Sequence, residues 1–118
     1  MKTYLAIFTG GPESFSESDW SELSEEERKA REQKGMAAWG AWMHENGAAL
    51  AFTGGPLGKT KKVSKKGVAD ISNQMTGVVA IKASSHDEAA RKFLDHPHFT
   101  IFPGDGVEIM EVLPIPGR

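Results

Sequence analysis

Four short runs of apolar residues along the chain predict β-strands. They cover residues 3–9, 48–53, 77–83 and 107–113, and each is rich in β-branched, aromatic or small side chains. Glycine or proline follows the first, second and last runs, where it ends the extended backbone. The spacing of the runs leaves room for one helix after the first strand and another after the third.

A long helix is predicted from Ser24 to a stop at Asn46-Gly47. Ser24 and Glu27 fit a capping box, and no proline interrupts the residues that follow. The apolar side chains recur at i, i+3 and i+7 on one face, and they are Met36, Trp39 and Met43, with Trp42 beside them. Gly35 and Gly40 inside the helix each cost about 1 kcal/mol relative to alanine, which the close approach of another backbone would explain.

A second helix is predicted to begin at Ser85, which forms a capping box with Glu88, and to stop at Pro97. The element order is then β-α-β-β-α-β, the split βαβ pattern. We therefore predict an α+β fold of the ferredoxin-like type, with an antiparallel sheet and two helices on one face. Residues 1–118 are expected to form a single domain.

Two polar stretches separate these elements. Residues 13–22 are rich in Ser and Glu and are predicted to form a loop, either without regular structure or with one short turn. Residues 58–74 carry five lysines and are predicted to be exposed and partly a β-hairpin, since lysine on an edge strand blocks incorrect pairing.

The predicted strands are apolar on both faces, which indicates that the sheet is covered on both sides. Tyr4, Ala6 and Phe8 point to one face, whereas Leu5 and Ile7 point to the other. Two helices cover one face only, and a large exposed apolar face usually marks an interface. We expect a second copy of the chain to cover it in a homodimer. The alternative is a monomer in which one of the polar stretches folds over the sheet.

Composition excludes several classes of function. A formal net charge of −2 leaves no basic excess to neutralise phosphates, so no nucleic-acid partner is expected. The absence of cysteine excludes disulfides and thiolate metal sites. No run approaches the roughly 18 apolar residues of a membrane span, and the first run is too short for a signal peptide. We expect a cytoplasmic protein without a membrane partner.

A series of segments resembles, in order, the YCII-related (DGPF-type) family of small bacterial proteins. The segments are AWGAWM, ENGAAL, GGPLG, VSKKGVAD, MTGVVAIKASSHDEA, DHP and GVEIMEVLPIPG, and the resemblance runs from Tyr4 to Gly117. It implies a dimeric α+β barrel with a cleft between the sheet and the first helix, which would be the ligand or active site. Family members are mostly of unknown function, and a few relatives resemble enzymes acting on small aromatic or chlorinated compounds.

This chain departs from the family pattern at two places. The Asp-Gly-Pro-Phe loop is absent, and the matching stretch, residues 70–77, reads DISNQMTG. The histidine of the His–Asp pair suggested to be catalytic in relatives falls on or near Met36, which cannot transfer protons. The family chemistry is therefore not expected to carry over, and a histidine-poor branch is the better match.

The candidate polar residues are three histidines and two aspartates. His96 and His98, with Asp95 and, from the next loop, Asp105, could act as acid and base or bind a metal. The structural alternative is that they stabilise a helix C-terminus, and no metal site is predicted because such sites usually need three or more ligands. His44, at the end of the first helix, is either a proton donor in the cleft or a surface residue.

The candidate aromatic residues are Trp39, Trp42 and Tyr4, which can fill the core and line a ligand cavity at the same place. The preferred hypothesis is a cofactor-free homodimer that binds small aromatic or related metabolites, with or without weakly specialised catalysis. One alternative is a non-enzymatic interaction or regulatory module with a filled core. The other is a cofactor-free oxygenase on the same fold.

Overall fold

The computed structural model describes residues 1–117 and contains six strands and four helices. The strands are β1 (Lys2–Thr9), β2 (Leu50–Pro56), β3 (Thr60–Ser64), β4 (Gly67–Ile71), β5 (Met75–Ala83) and β6 (Gly106–Glu111). The helices are α1 (Pro12–Glu17), α2 (Glu25–Glu45), α3 (His86–Arg91) and α4 (Pro97–Thr100), with short 3₁₀ turns at Asp19–Glu22 and Gly47–Ala49.

Four of the strands form one antiparallel sheet in the order β2-β5-β1-β6. The register places Tyr4 opposite Ile81 and Leu5 opposite Ala80 in the two central strands. This order is the one expected when a βαββαβ chain folds with its first and third main strands in the centre. The predicted ferredoxin-like α+β fold is confirmed.

The helices pack on one face of this sheet, where the core lies. Tyr4, Ala6 and Phe8 of β1 lie beside Val79 and Ile81 of β5 on this face, and all five are at most 3% exposed. The buried cluster is completed by Ala83 of β5, Trp42 of α2, Ala89 of α3 and Phe93. The capping box of Ser24 and Glu27 starts α2 as predicted.

The opposite face of the sheet, which we call the bare face, is apolar at its centre and partly exposed, and the charged residues Lys82 and Glu108 also lie on it. It carries Leu5, Ile7, Val78, Ala80, Met110 and Phe52, which pairs with Ala80 across the edge of the sheet. The Phe52 side chain is 56% exposed and that of Met110 is 43% exposed. The apolar character of both faces is thus present in the folded chain.

Three local predictions were wrong. Residues 13–22 form most of α1 and a 3₁₀ turn rather than a loop, because Pro12 occupies the first turn and Ser14 bonds to Gly11. Pro97 begins α4 instead of ending a helix, since its fixed φ suits a first helical position. Strand β2 continues through Gly54, whose φ of +62° accommodates an irregularity against Val78.

The Lys-rich segment forms the predicted hairpin. Strands β3 and β4 pair only with each other and, apart from Thr60, all their residues are exposed. Lys61 forms an ion pair with Asp70 at 2.6 Å across the two strands. The apolar pair Val63 and Val68 lies in the open on this hairpin.

None of the helices within residues 1–117 combines the length and the apolarity needed to cross a bilayer.

Candidate functional site

A cavity of about 460 Å³ lies between α2 and the neighbouring ends of β2 and β5. Its lining is mainly apolar and aromatic, with two threonines and one histidine as the polar side chains. The principal lining residues are Phe8, Met36, Trp39, Met43, Thr53, Thr76, His98 and Phe102. Ligand cavities typically measure about 300–1,000 Å³, so this one can hold a small molecule.

Helical periodicity brings the apolar stripe of α2 into the cavity. Met36, Trp39 and Met43 are separated by three and four residues, so they lie on the same side of the helix. Phe8 from the central strand faces Trp39, with ring centroids 4.9 Å apart. Helix α2 and the sheet therefore bound a cleft at the place that the family resemblance implied.

The two glycines of α2 have different surroundings. A Cβ added to Gly35 would lie 2.5 Å from the ring of Phe102, so this glycine lets the ring pack against the helix. A Cβ added to Gly40 would meet nothing within 4 Å. The close approach predicted at Gly35 is thus made by an aromatic ring rather than by a backbone, and Gly40 has none.

His98 is the only titratable side chain that lines the cavity within the described part of the chain. Its Nε2 lies 2.7 Å from the carbonyl oxygen of Thr9. Because a carbonyl only accepts, Nε2 carries the proton and Nδ1 is the unprotonated nitrogen of the neutral ring. Gly104 packs directly against the ring, and its N–H donates to the His98 carbonyl at 3.0 Å.

The environment of His98 favours the neutral imidazole. Burial lowers the pKa of His98, and the bond to Thr9 and the charge of Asp105 oppose that effect only in part. Asp105 is attached to the same strand end, since its carboxylate accepts from the Thr9 hydroxyl at 3.1 Å. The ring is therefore held in one orientation and one tautomer by Thr9, Gly104 and α4.

His96 occupies a different environment, although it is only two residues away. It is completely buried, and its Nδ1 accepts from the His98 backbone N–H at 3.0 Å. Aromatic rings surround it, with the Trp39 and Trp42 centroids 4.6 and 4.9 Å from its own. Its Nε2 has no hydrogen-bond partner within residues 1–117. Burial first, and the neighbouring His98 second, lower the pKa of His96 to about 4.

The structure brings only Trp39 and His98 of the predicted site residues into the lining of the cavity. Trp42 is buried beyond it, and its indole N–H donates to the Lys92 carbonyl at 2.8 Å. Tyr4 is buried near the far end of β1 and stacks on His86 at 5.4 Å. Both aromatic residues belong to the buried core cluster, and neither lines the cavity.

The remaining predicted residues also lie outside the lining. His44 is exposed near the end of α2, one position beyond the inward-facing Met43, so its side chain points away from the sheet. Asp105 reaches the site only through Thr9. Within residues 1–117, no group of three or more His, Asp or Glu side chains is arranged to hold a metal ion.

Sequence reasoning did not identify Phe8, Thr76 or Phe102 as lining residues. Phe8 sits on the inward face of β1, which the alternation of that strand indicates. Thr76 and Phe102 come from the start of β5 and from the loop after α4, and only the tertiary structure brings them to α2.

Comparison with known proteins gives a fold and not a family. No family model and no curated protein matches the chain. Among solved structures, it is similar to 5-chloro-2-hydroxyhydroquinone dehydrochlorinase (TftG) from Burkholderia phenoliruptrix AC1100, in complex with 2,5-dihydroxybenzoquinone. The TM-score is 0.53 at 16% identity, over 92% of this chain and 90% of that one. This likeness supports the α+β fold, and membership of the YCII-related family stays a prediction.

Proposed function

We propose that this protein binds a small aromatic molecule in the cavity between α2 and the sheet. The observation that carries the proposal is the cavity itself, which has a volume of about 460 Å³, an aromatic lining and one titratable group, His98. A pocket with mostly apolar walls and a few placed polar groups is the usual form of a small-molecule site. An engineered cavity of about 150 Å³ already accepts benzene, so one substituted ring fits here.

The structural neighbour gives independent support. TftG is named as a dehydrochlorinase of a chlorinated hydroxyhydroquinone, and its structure holds 2,5-dihydroxybenzoquinone, a single substituted ring. The two chains share a fold over most of their lengths. Fold alone does not fix function, so the proposal rests on the cavity of this chain and takes the neighbour as consistent with it.

The alternatives have less support. An interaction module with a filled core would have no cavity larger than solvent beside Trp39, and that residue lines the cavity described above. A cofactor-free oxygenase has no observation in its favour beyond the fold. The binding function is therefore the one that the geometry favours.

Tryptophan fluorescence tests the proposal. Titration with toluene and 4-methylphenol is expected to change the emission in a saturable manner, because Trp39 lines the cavity, while calorimetry should give one site per chain. Trp39→Phe should remove most of the signal and leave calorimetric binding. Trp20→Phe is the matched control, since Trp20 is buried outside the cavity with its indole N–H bonded to Ile101. Absence of binding by calorimetry would contradict the proposal.

We also propose that the working form is a homodimer joined through the bare face. The molecule measures 55 × 42 × 19 Å, and its radius of gyration is 16.3 Å, against roughly 13.5 Å for a compact chain of this length. A thin, extended shape with an apolar sheet face partly exposed suits packing against a second copy. Closed two-fold dimers are the commonest symmetric oligomers, and a sheet face can bind itself about such an axis.

Sedimentation equilibrium tests the dimer with two matched substitutions. The native protein is expected at twice the 12.8 kDa chain mass at micromolar concentration. Phe52→Glu, on the bare face, should give the monomer, whereas Val63→Glu, on the exposed hairpin, should leave the dimer intact. A native particle of 12.8 kDa would exclude the homodimer.

A further inference from the structure

The charges around the cavity restrict what it can bind. Within residues 1–117 no Lys, Arg, Asp or Glu side chain lines it. The nearby charge that acts on His98 is the carboxylate of Asp105, which is negative and is joined to the site through Thr9. A carboxylate ligand would therefore be buried against an apolar wall without a cation, which carries a large desolvation penalty.

The first polar atom offered to a ligand is a hydrogen-bond acceptor. His98 donates through Nε2 to Thr9, so its Nδ1 has only a lone pair to offer. The buried side-chain nitrogen and oxygen atoms without a partner in the described chain are Arg28 Nε and His96 Nε2. His98 Nδ1 is not among them and forms no bond to residues 1–117, so it remains accessible on a side chain that lines the cavity.

The hydroxyl of Thr76 also favours a ligand that donates a hydrogen bond. The Thr76 hydroxyl donates to the carbonyl oxygen of Phe8 at 3.1 Å, so its proton is already used. The lone pairs of that oxygen remain as acceptors at the wall of the cavity. A ligand that donates a hydrogen bond can be paired at either place, and a neutral hydroxyl can also accept from the Thr53 hydroxyl or the Trp39 indole N–H, whereas the lining holds no cation for a carboxylate.

From these contacts we infer that the cavity selects uncharged aromatic molecules bearing a hydroxyl group, such as phenols and hydroquinones, and rejects the corresponding carboxylates. This inference rests on the proposed binding function and adds the chemical class of the ligand. Phenol is neutral at pH 7, donates one hydrogen bond and buries an apolar ring. Each of these properties matches one feature of the lining.

Three probes of nearly equal shape separate the contributions. Toluene has no polar group, 4-methylphenol adds a donor, and 4-methylbenzoate adds a carboxylate. At pH 8, calorimetry on the native protein should show 4-methylphenol binding at least about ten-fold tighter than 4-methylbenzoate, because one missing or unpaired polar contact is worth roughly that factor. Toluene should lie between the two. A 4-methylbenzoate affinity within ten-fold of that of 4-methylphenol would overturn the inference.

Two variants test whether Thr76 and His98 are the acceptors that favour 4-methylphenol over toluene. Thr76→Val keeps the shape of an exposed side chain and removes one acceptor, so it should weaken 4-methylphenol several-fold and leave toluene unchanged. His98→Phe should bring 4-methylphenol close to toluene, with circular dichroism reporting whether this buried position still folds. An unchanged ratio of 4-methylphenol to toluene in both variants would contradict the assignment of the acceptors.

The probes also distinguish failure of this inference from failure of the binding function. If toluene binds and 4-methylbenzoate binds as well as 4-methylphenol, the cavity is a site without charge selection, and only this inference is wrong. If none of the three binds, the proposed function is wrong and the inference falls with it.

Discussion

The layer between α2 and the sheet has two ends that the same helix builds in different ways. At the filled end, Trp42, Phe93 and His96 pack against the sheet and are each at most 8% exposed. At the hollow end, Met36 and Phe102 border the cavity, and Met36 is 66% exposed. Trp39 divides the two, since it touches His96 on one side and lines the cavity on the other.

The two ends differ in how completely their apolar side chains are packed. The filled end follows ordinary core packing, in which aromatic rings exclude water and His96 is neutral among them. The hollow end leaves apolar wall uncovered, which a core selected for stability alone would fill. The two histidines differ in the same way. His96 is completely buried, whereas His98 lies at the cavity wall with its Nδ1 available as an acceptor.

The largest expected effect is a difference in the free energy of unfolding between two Phe→Ala variants, one at each end. Phe93→Ala, at the filled end, should lower the free energy of unfolding by about 3–5 kcal/mol, because it leaves a void among Phe8, Trp42 and His96. Phe102→Ala, at the hollow end, should cost only about 1–2 kcal/mol, since this half-buried ring already borders open space. Urea denaturation measures both, and equal losses would remove the distinction between the ends.

The next effect is a pH dependence that originates at the filled end. The pKa of His96 is about 4 in the folded protein, against 6.5 for a free histidine. Between these two values His96 is protonated in the unfolded chain and neutral in the folded chain, so protonation favours unfolding. The free energy of unfolding should therefore fall by about 3 kcal/mol between pH 7 and pH 4. His98 acts in the same direction, because burial also lowers its pKa.

Two variants test whether His96 causes this pH dependence. His96→Gln can still accept from the His98 N–H and should flatten most of the fall, although it lowers stability at pH 7. His44→Gln, at an exposed position of α2, is the control for the replacement of a histidine by glutamine. A native curve that is flat from pH 7 to pH 4 would contradict the sealed environment of His96.

The smallest effects come from the paired glycines of α2. Gly40→Ala should raise the free energy of unfolding by about 1 kcal/mol, because the new methyl group meets nothing and alanine favours the helix. Gly35→Ala should lower it by about 1–2 kcal/mol, because the ring of Phe102 must move. That movement should also weaken 4-methylphenol binding. Equal stabilisation by both changes would show that Phe102 does not pack on Gly35.

Much of the fold could be predicted from local patterns. Strand composition, the capping box at Ser24, and the stripe of Met36, Trp39 and Met43 reflect short-range physics. Ser85 caps α3, as predicted, by accepting from the Glu88 N–H, but the box is not closed, because the Glu88 carboxylate accepts from Ser84. The cleft between α2 and the sheet was implied by the resemblance to the YCII-related family and not by these patterns. The start of α4 could not be predicted, because Pro97 can end one helix or begin another and the positive φ of Asp95 decides between them.

The site was less predictable, because it depends on contacts between residues distant in sequence. His98 could be selected as a titratable residue, but its tautomer depends on Thr9, 89 residues away. Trp39 and Trp42 are equivalent in the sequence pattern, yet one lines the cavity and the other fills the core. Asp105 was expected at the ligand; its carboxylate instead accepts from the Thr9 hydroxyl, and its negative charge acts on His98.

The most direct measurement uses the five methionine methyl groups as NMR reporters. Met36 and Met43 line the cavity, whereas Met110 lies on the bare face. With ¹³C-methyl methionine protein and 4-methylphenol, nuclear Overhauser contacts from the ligand ring should reach the Met36 and Met43 methyl groups and not that of Met110. Contacts to Met110 alone, or to none of the five, would contradict the claim that the hollow end is a binding site.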